Sequence, residues 1–155
     1  MAVTASGLFV STFIDVLDTT QLALDLDLET HKIALFKDSI TPNFSTDTAY
    51  GTGTYAAGAN EASGTGWAAG GVALTSTVFT EAVTGSAVFD AADVSEATTT
   101  LTSAMCGLIY ADALAGNNAI CLVDFVTAVS TVAGTLTITW TAPGSGGIFN
   151  IDLTP

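Results

Sequence analysis

Between Gln21 and Glu29 the chain alternates without a break: Leu22, Leu24, Leu26 and Leu28 against Asp25, Asp27 and Glu29. A period of two reads as a half-buried strand, with the leucines on one face and the carboxylates on the other; a helical continuation of the preceding segment is the alternative. Upstream the period changes. Phe9, Phe13, Ile14 and Leu17 recur at three- and four-residue spacing, which predicts a helix over Ser6–Leu17 capped by Ser6, with Asp15 and Asp18 outward. His31–Phe36 reads as a strand with Ile33 and Leu35 on one side and Lys32, Ala34 and Phe36 on the other. Ser39–Ala62 is polar and Gly-rich, with Pro42 near its start. It predicts a long loop crossing the surface, the kind of segment that carries contacts. The second half predicts short strands at Gly71–Leu74, Thr77–Ala82, Ala87–Phe89, Thr98–Leu101, Ala104–Ala111, Ala119–Phe125, Thr135–Trp140 and Gly147–Leu153. Turn residues part them at Thr84-Gly85, Ala115–Asn118 and Pro143–Gly147. The predicted fold is mainly β, a β-sandwich or barrel-like domain with a short N-terminal helix. Residues 1–20 are read as an N-terminal helix or arm and 21–155 as a single β-rich domain.

A chain of 155 residues, 49% hydrophobic and 11% charged, buries a core without needing disulfides or metals. Thr and small or β-branched residues suit pleated surfaces. Charge changes the picture more. Two lysines and no arginine face 15 acidic residues, a net −13, and the side-chain cations are confined to His31, Lys32 and Lys37. Such a chain builds no basic groove, so neither nucleic acid nor an anionic membrane surface is an expected partner. The most apolar stretch, Ala104–Val126, is interrupted by Asp112, Gly116, Asn117 and Asn118 and reads as two strands and a turn, not a membrane helix. No export signal is legible. The expected place of folding is a reducing cytoplasm, with Cys106 and Cys121 as free buried thiols in preference to a cross-strand disulfide.

Candidate chemistry is sparse. Nucleophilic catalysis needs a base beside the nucleophile, and the single imidazole, His31, sits in a strand-like run where a surface or edge position is expected. Two cysteines and one histidine do not make a zinc set. Gly51-Thr52-Gly53 and Gly64-Thr65-Gly66 lack the third glycine and the lysine of phosphate-binding loops and read as turns. Asp25, Asp27 and Glu29 would share one strand face, a weak calcium candidate against a solvated acidic face. Trp140 ends the run Leu136, Ile138, Trp140 and reads as core, whereas Trp67 lies in a Gly-rich stretch. No catalytic residue, cofactor or resident metal is assigned, and no enzyme is predicted.

Several segments carry a resemblance. Lys32-Ile33-Ala34-Leu35-Phe36, Thr41-Pro42-Asn43, Tyr50, and above all Asn60-Glu61-Ala62-Ser63-Gly64-Thr65-Gly66-Trp67 with Gly70-Gly71 resemble a group of tailed-bacteriophage virion structural proteins. In the same order follow Asp93-Val94, Leu108-Ile109-Tyr110, Leu122, Asp124-Phe125, Thr135–Trp140 and Gly147-Ile148-Phe149, so the likeness spans roughly residues 22–153. Members often carry an arginine before the Ile-Tyr strand, where this chain has Ser103-Ala104-Met105-Cys106. The resemblance implies a non-enzymatic virion protein, with head decoration, minor tail and general structural roles all represented.

Charge helps choose among these. Inside the head, a net −13 would be repelled by packaged DNA. Small size, a compact β pattern and no sign of long hairpins favour a decoration protein on the capsid exterior. It would be made in the bacterial host cytoplasm, would bind the major capsid protein as a homo-oligomer, and would stabilise the lattice by binding only its assembled form. The alternatives are a tail tube, adaptor or minor tail protein, and a calcium- or glycan-binding adhesion module. The expected contact segments are Ala2–Leu17 and Ser39–Ala62, with Leu8, Phe9, Phe13, Phe44, Tyr50, Tyr55 and Trp67 as interface candidates.

Overall fold

The computed structural model describes residues 3–27, 30–58 and 60–154. In chain order these form β1 (Gly7–Leu8), α1 (Val10–Leu17), β2 (His31–Lys37), β3 (Val72–Ala73), β4 (Val78–Val83), β5 (Ser86–Asp90), β6 (Val94–Ala111), β7 (Ala119–Ile138) and β8 (Phe149–Asp152). They pair into two antiparallel sheets, one of five strands in the order β1-β7-β6-β2-β3 and one of three in the order β4-β5-β8. The fold is mainly β and sandwich-like, with one short helix, as the pattern predicted.

The alternation in β2 explains where the core sits. Ile33 and Leu35 enter a core shared with Trp67, Ile109, Cys121 and Phe89 of the small sheet. Ala34 and Phe36 enter a second core on the opposite face, with Phe9, Ile40, Tyr55, Leu108 and Tyr110. The large sheet is therefore covered on both faces, once by the small sheet and once by loop and N-terminal residues. Such double burial turns a strand into a nearly continuous apolar run, which is what Ile33–Phe36 is.

The N-terminal segment belongs to the same body. β1 pairs with β7, Gly7 opposite Leu122 and Leu8 opposite Cys121, and Phe9 is fully buried between Phe44 and Tyr55, with ring centroids 5.4 and 5.6 Å apart. This pairing shortens the helix to Val10–Leu17. Ser6 does not cap it; its hydroxyl accepts the Asp124 N–H at 2.8 Å. It also sets the helix rotation, because Thr12 turns inward and its Oγ1 donates to the Ala119 carbonyl at 2.6 Å. The expected apolar face splits as a result. Phe13 packs edge-on to Phe149, while Ile14 and Leu17 are exposed.

Residues 21–27 contain no strand. The alternation holds in facing, with Leu26 buried and Asp25 and Asp27 exposed, but among the described residues no ladder partner lies alongside. Local bonds replace it: the Leu22 N–H donates to the Asp15 carbonyl at 2.8 Å and the Asp27 N–H to Asp25 Oδ1 at 3.0 Å. Leu28 and Glu29 lie outside the described residues.

The four separate strands expected between Thr98 and Trp140 are two long ones. β6 and β7 run as one hairpin from Val94 opposite Ile138 to Tyr110 opposite Ala119. The absence of a long hairpin is thus corrected. Its register shifts repeatedly, and Thr98, Ser103, Val126 and Ala133 take the left-handed conformation. Bulges free backbone groups from the ladder, and hydroxyls and a carboxylate take them up. The Leu101 N–H donates to Thr131 Oγ1 (3.2 Å), Ser103 N–H to Ser130 Oγ (2.9 Å), Ala133 N–H to Thr100 Oγ1 (3.1 Å) and Val126 N–H to Asp124 Oδ1 (2.8 Å). The Thr and Ser hydroxyls of these strands thus give partners to donors that the bends free.

Candidate docking surface

The chemically capable side chains are inside. His31 is fully buried, not at a surface or edge: β2 is flanked by β6 and β3, His31 Nε2 lies 3.0 Å from the Asp25 carbonyl, and the ring meets Phe89 edge-on. Cys106 and Cys121 are free and buried. They belong to opposite cores, because Cys121 stands opposite Ile109, an odd number of residues from Cys106. Burial pushes both thiols up to about 12, far from the reactive thiolate form.

The Asn60–Trp67 segment, which carries the most specific part of the resemblance, is built as a structural knot. Asn60 and Ala62 lie along β2: the Lys37 N–H donates to the Asn60 carbonyl and the Ala62 N–H to that of Leu35. Glu61, only 3% exposed, accepts the Gly70 N–H at 2.6 Å and the Tyr50 hydroxyl at 3.2 and 3.4 Å. Tyr50 stacks on Tyr110 at 4.6 Å, and the Tyr110 hydroxyl returns to the Gly70 carbonyl at 2.8 Å. Burial first, and the Glu61 charge second, push the Tyr50 hydroxyl up to about 12. Gly64 pairs with Trp67 across a tight turn whose backbone presses on Thr100, leaving no room for a side chain at Gly64. Glu61 was not singled out from sequence; the signal was its place three residues before Gly64, which opens a glycine turn in a polar stretch.

The interface candidates therefore divide. Phe9, Tyr55 and Trp67 are buried and present nothing to a partner. Phe44 and Tyr50 are half-buried over the second core. The loop 39–62 covers that core, with Ile40, Ala49 and Tyr55 inside. Leu8 and Phe13 line a surface depression with Val10, Ile14 and Leu17. Trp140 is half-buried, and its indole N–H donates to the Ala92 carbonyl at 3.2 Å. Asp25 and Asp27 face solvent, Glu29 is outside the described residues, and no cluster of three metal-ligating side chains occurs among the described residues. Among them, too, no helix is long and apolar enough to cross a membrane.

What the surface offers is apolar. Val10, Ile14 and Leu17, spaced along one side of α1, are 47, 54 and 83% exposed. Leu17 and Phe13 also belong to an adjoining groove of about 770 Å³. The groove exists because the inner face of the small sheet is only partly covered. Phe89 and Phe149 pack into the first core, whereas Phe79, Ala87 and Ile151 line open space with Leu24 and Leu153. β4 is an edge strand exposed along nearly its whole length, and open edges are templates for pairing. Comparison adds no relative: the chain matches no protein-family model, and no curated protein or solved structure is significantly similar to it.

Proposed function

We propose that this protein is a structural component of a tailed-phage particle, bound to the outer surface of the head through the major capsid protein, and that it works by docking and not by catalysis. The observation that carries the reading is an inversion of where chemistry and apolar area lie. The imidazole, both thiols and the hydrogen-bonded Glu61 carboxylate are enclosed within the fold, while aliphatic side chains of α1 stand in water. Exposed apolar patches rimmed by polar groups mark protein contacts. The resemblance in Asn60–Trp67 with Gly70-Gly71 supplies the phage context, and the net −13 favours a position away from packaged DNA. On the lattice, each copy adds a modest contact to the assembled state only, and mass action sums them. Imaging of purified particles tests this: density for the chain on the head is expected, and density confined to the tail, or none, refutes it.

The β6–β7 hairpin favours a second reading, a tail component, because the expected lack of long hairpins was one ground for the head. An acidic ring would pass DNA without holding it. Ring-sized oligomers in native mass measurement, most simply of six copies, would support the tail reading against the head one.

A further inference from the structure

We infer that the groove between α1 and the small sheet receives an apolar segment flanked by lysine or arginine on another protein, and not a second copy of this chain; this rests on the docking reading above and names the chemistry of the partner. Two observations meet there. The floor and walls are apolar, from Phe13 and Leu17 on α1, Leu24 on the segment before β2, Phe79 on β4 and Ile151 and Leu153 at β8. The charged residues are all of one sign: Asp25 and Asp27 line the groove, and Asp18 lines the depression continuous with it through Phe13 and Leu17. No lysine lines either cavity, and Lys32 is held by Asp112 at 3.0 Å.

That combination selects the occupant. An apolar trough attracts any aliphatic segment, but an acid-only rim repels an acidic one. A second copy would bring the same carboxylates to the same seam and a further net −13, so self-docking pairs like charges. A segment with basic flanks finds both terms favourable. The exposed α1 stripe extends the apolar track beyond the groove, giving such a segment room to lie along the helix.

The test uses the full chain and two synthetic amphipathic peptides with one leucine pattern, one with lysines on its polar face and one with glutamates, plus a scrambled lysine peptide of the same composition. Fluorescence anisotropy is expected to show binding of the ordered lysine peptide alone, weakening with salt. Leu17→Ser with Leu153→Ser changes no charge and touches exposed side chains, so the fold is kept; it should weaken binding about tenfold or more. Val132→Ser, exposed on the β7 bulge, should leave it unchanged. Equal binding of the scrambled peptide or of the glutamate peptide overturns the inference, as does indifference to the Leu17/Leu153 change. A dimer in sedimentation that this change disperses also overturns it, since the occupant would then be a second copy. The two readings fail separately: peptide binding by a protein absent from particles removes only the virion reading. Normal incorporation of the Leu17/Leu153 variant into particles removes only the groove.

Discussion

Removing the Glu61 carboxylate should loosen the whole Asn60–Gly71 segment. Glu61→Ala takes away the acceptor of two partly buried donors, the Gly70 N–H at 2.6 Å and the Tyr50 hydroxyl at 3.2 Å. A buried donor left without a partner costs roughly 1–3 kcal/mol. The hydroxyl is half-buried and recovers part of that with water, so the expected loss is about 3 kcal/mol, or about 6–12 °C in melting temperature for a domain of this size. Glu61→Gln keeps the shape and one acceptor oxygen, and should cost about 1 kcal/mol. Urea denaturation followed by tryptophan fluorescence measures both, since Trp67 sits in the same segment. A second readout separates charge from packing. Burial keeps the Tyr50 hydroxyl high in either variant that folds, but Glu61→Gln removes the neighbouring negative charge that also raises it. Tyr50 is the least raised of the three tyrosines, so the lowest-pH tyrosinate step should therefore move down. If Glu61→Ala stays within about 0.5 kcal/mol of the wild type, the knot does not hold the segment and the reasoning fails.

Phe9→Ala should destabilise by about 3–5 kcal/mol, because the ring is fully enclosed and its loss leaves a cavity; a change under about 1 kcal/mol would mean the N-terminal segment is not seated as described. Gly71→Ala should prevent folding, since φ is +75° and a Cβ would strike the Ile33 carbonyl; circular dichroism of a normally folded variant would refute that contact. Neither thiol should react with a disulfide probe in the native state, and both should react after denaturation; one fast native thiol would place Cys106 or Cys121 at the surface. Stability should be complete below about pH 9 and fall as the pH rises towards 12, because Cys106 and Cys121 go from an ordinary 9.0, and Tyr50 from 10.0, to about 12 in the fold. Groups whose folded pKa is raised keep protons that the unfolded chain releases, so alkali favours unfolding. A urea midpoint that stays level between about pH 8 and 11 would contradict it.

Alternation and composition by themselves determined the β class, the strand at His31–Phe36 with Ile33 and Leu35 on one side and Ala34 and Phe36 on the other, the free and buried thiols, and the outward direction of Asp25 and Asp27. These depend on period and on transfer from water, which are properties of neighbours in the chain. Only the tertiary structure decided that β6 and β7 are continuous. Each bulge inserts an unpaired residue that breaks period two, so the run reads as separate strands, and the hydroxyls that repair it come from the opposite strand, as with Ser130 and Ser103. The fate of residues 21–27, which find no partner strand among the described residues, was likewise settled by tertiary context that no local pattern reveals. Helix α1 carries the same lesson most directly. Its spacing describes an apolar face, but β1 pairing with β7 and the bond from Thr12 to Ala119 set its rotation, and so turned Ile14 and Leu17 out to the water. Contacts distant in sequence fix orientation, and orientation is what separates core from docking surface.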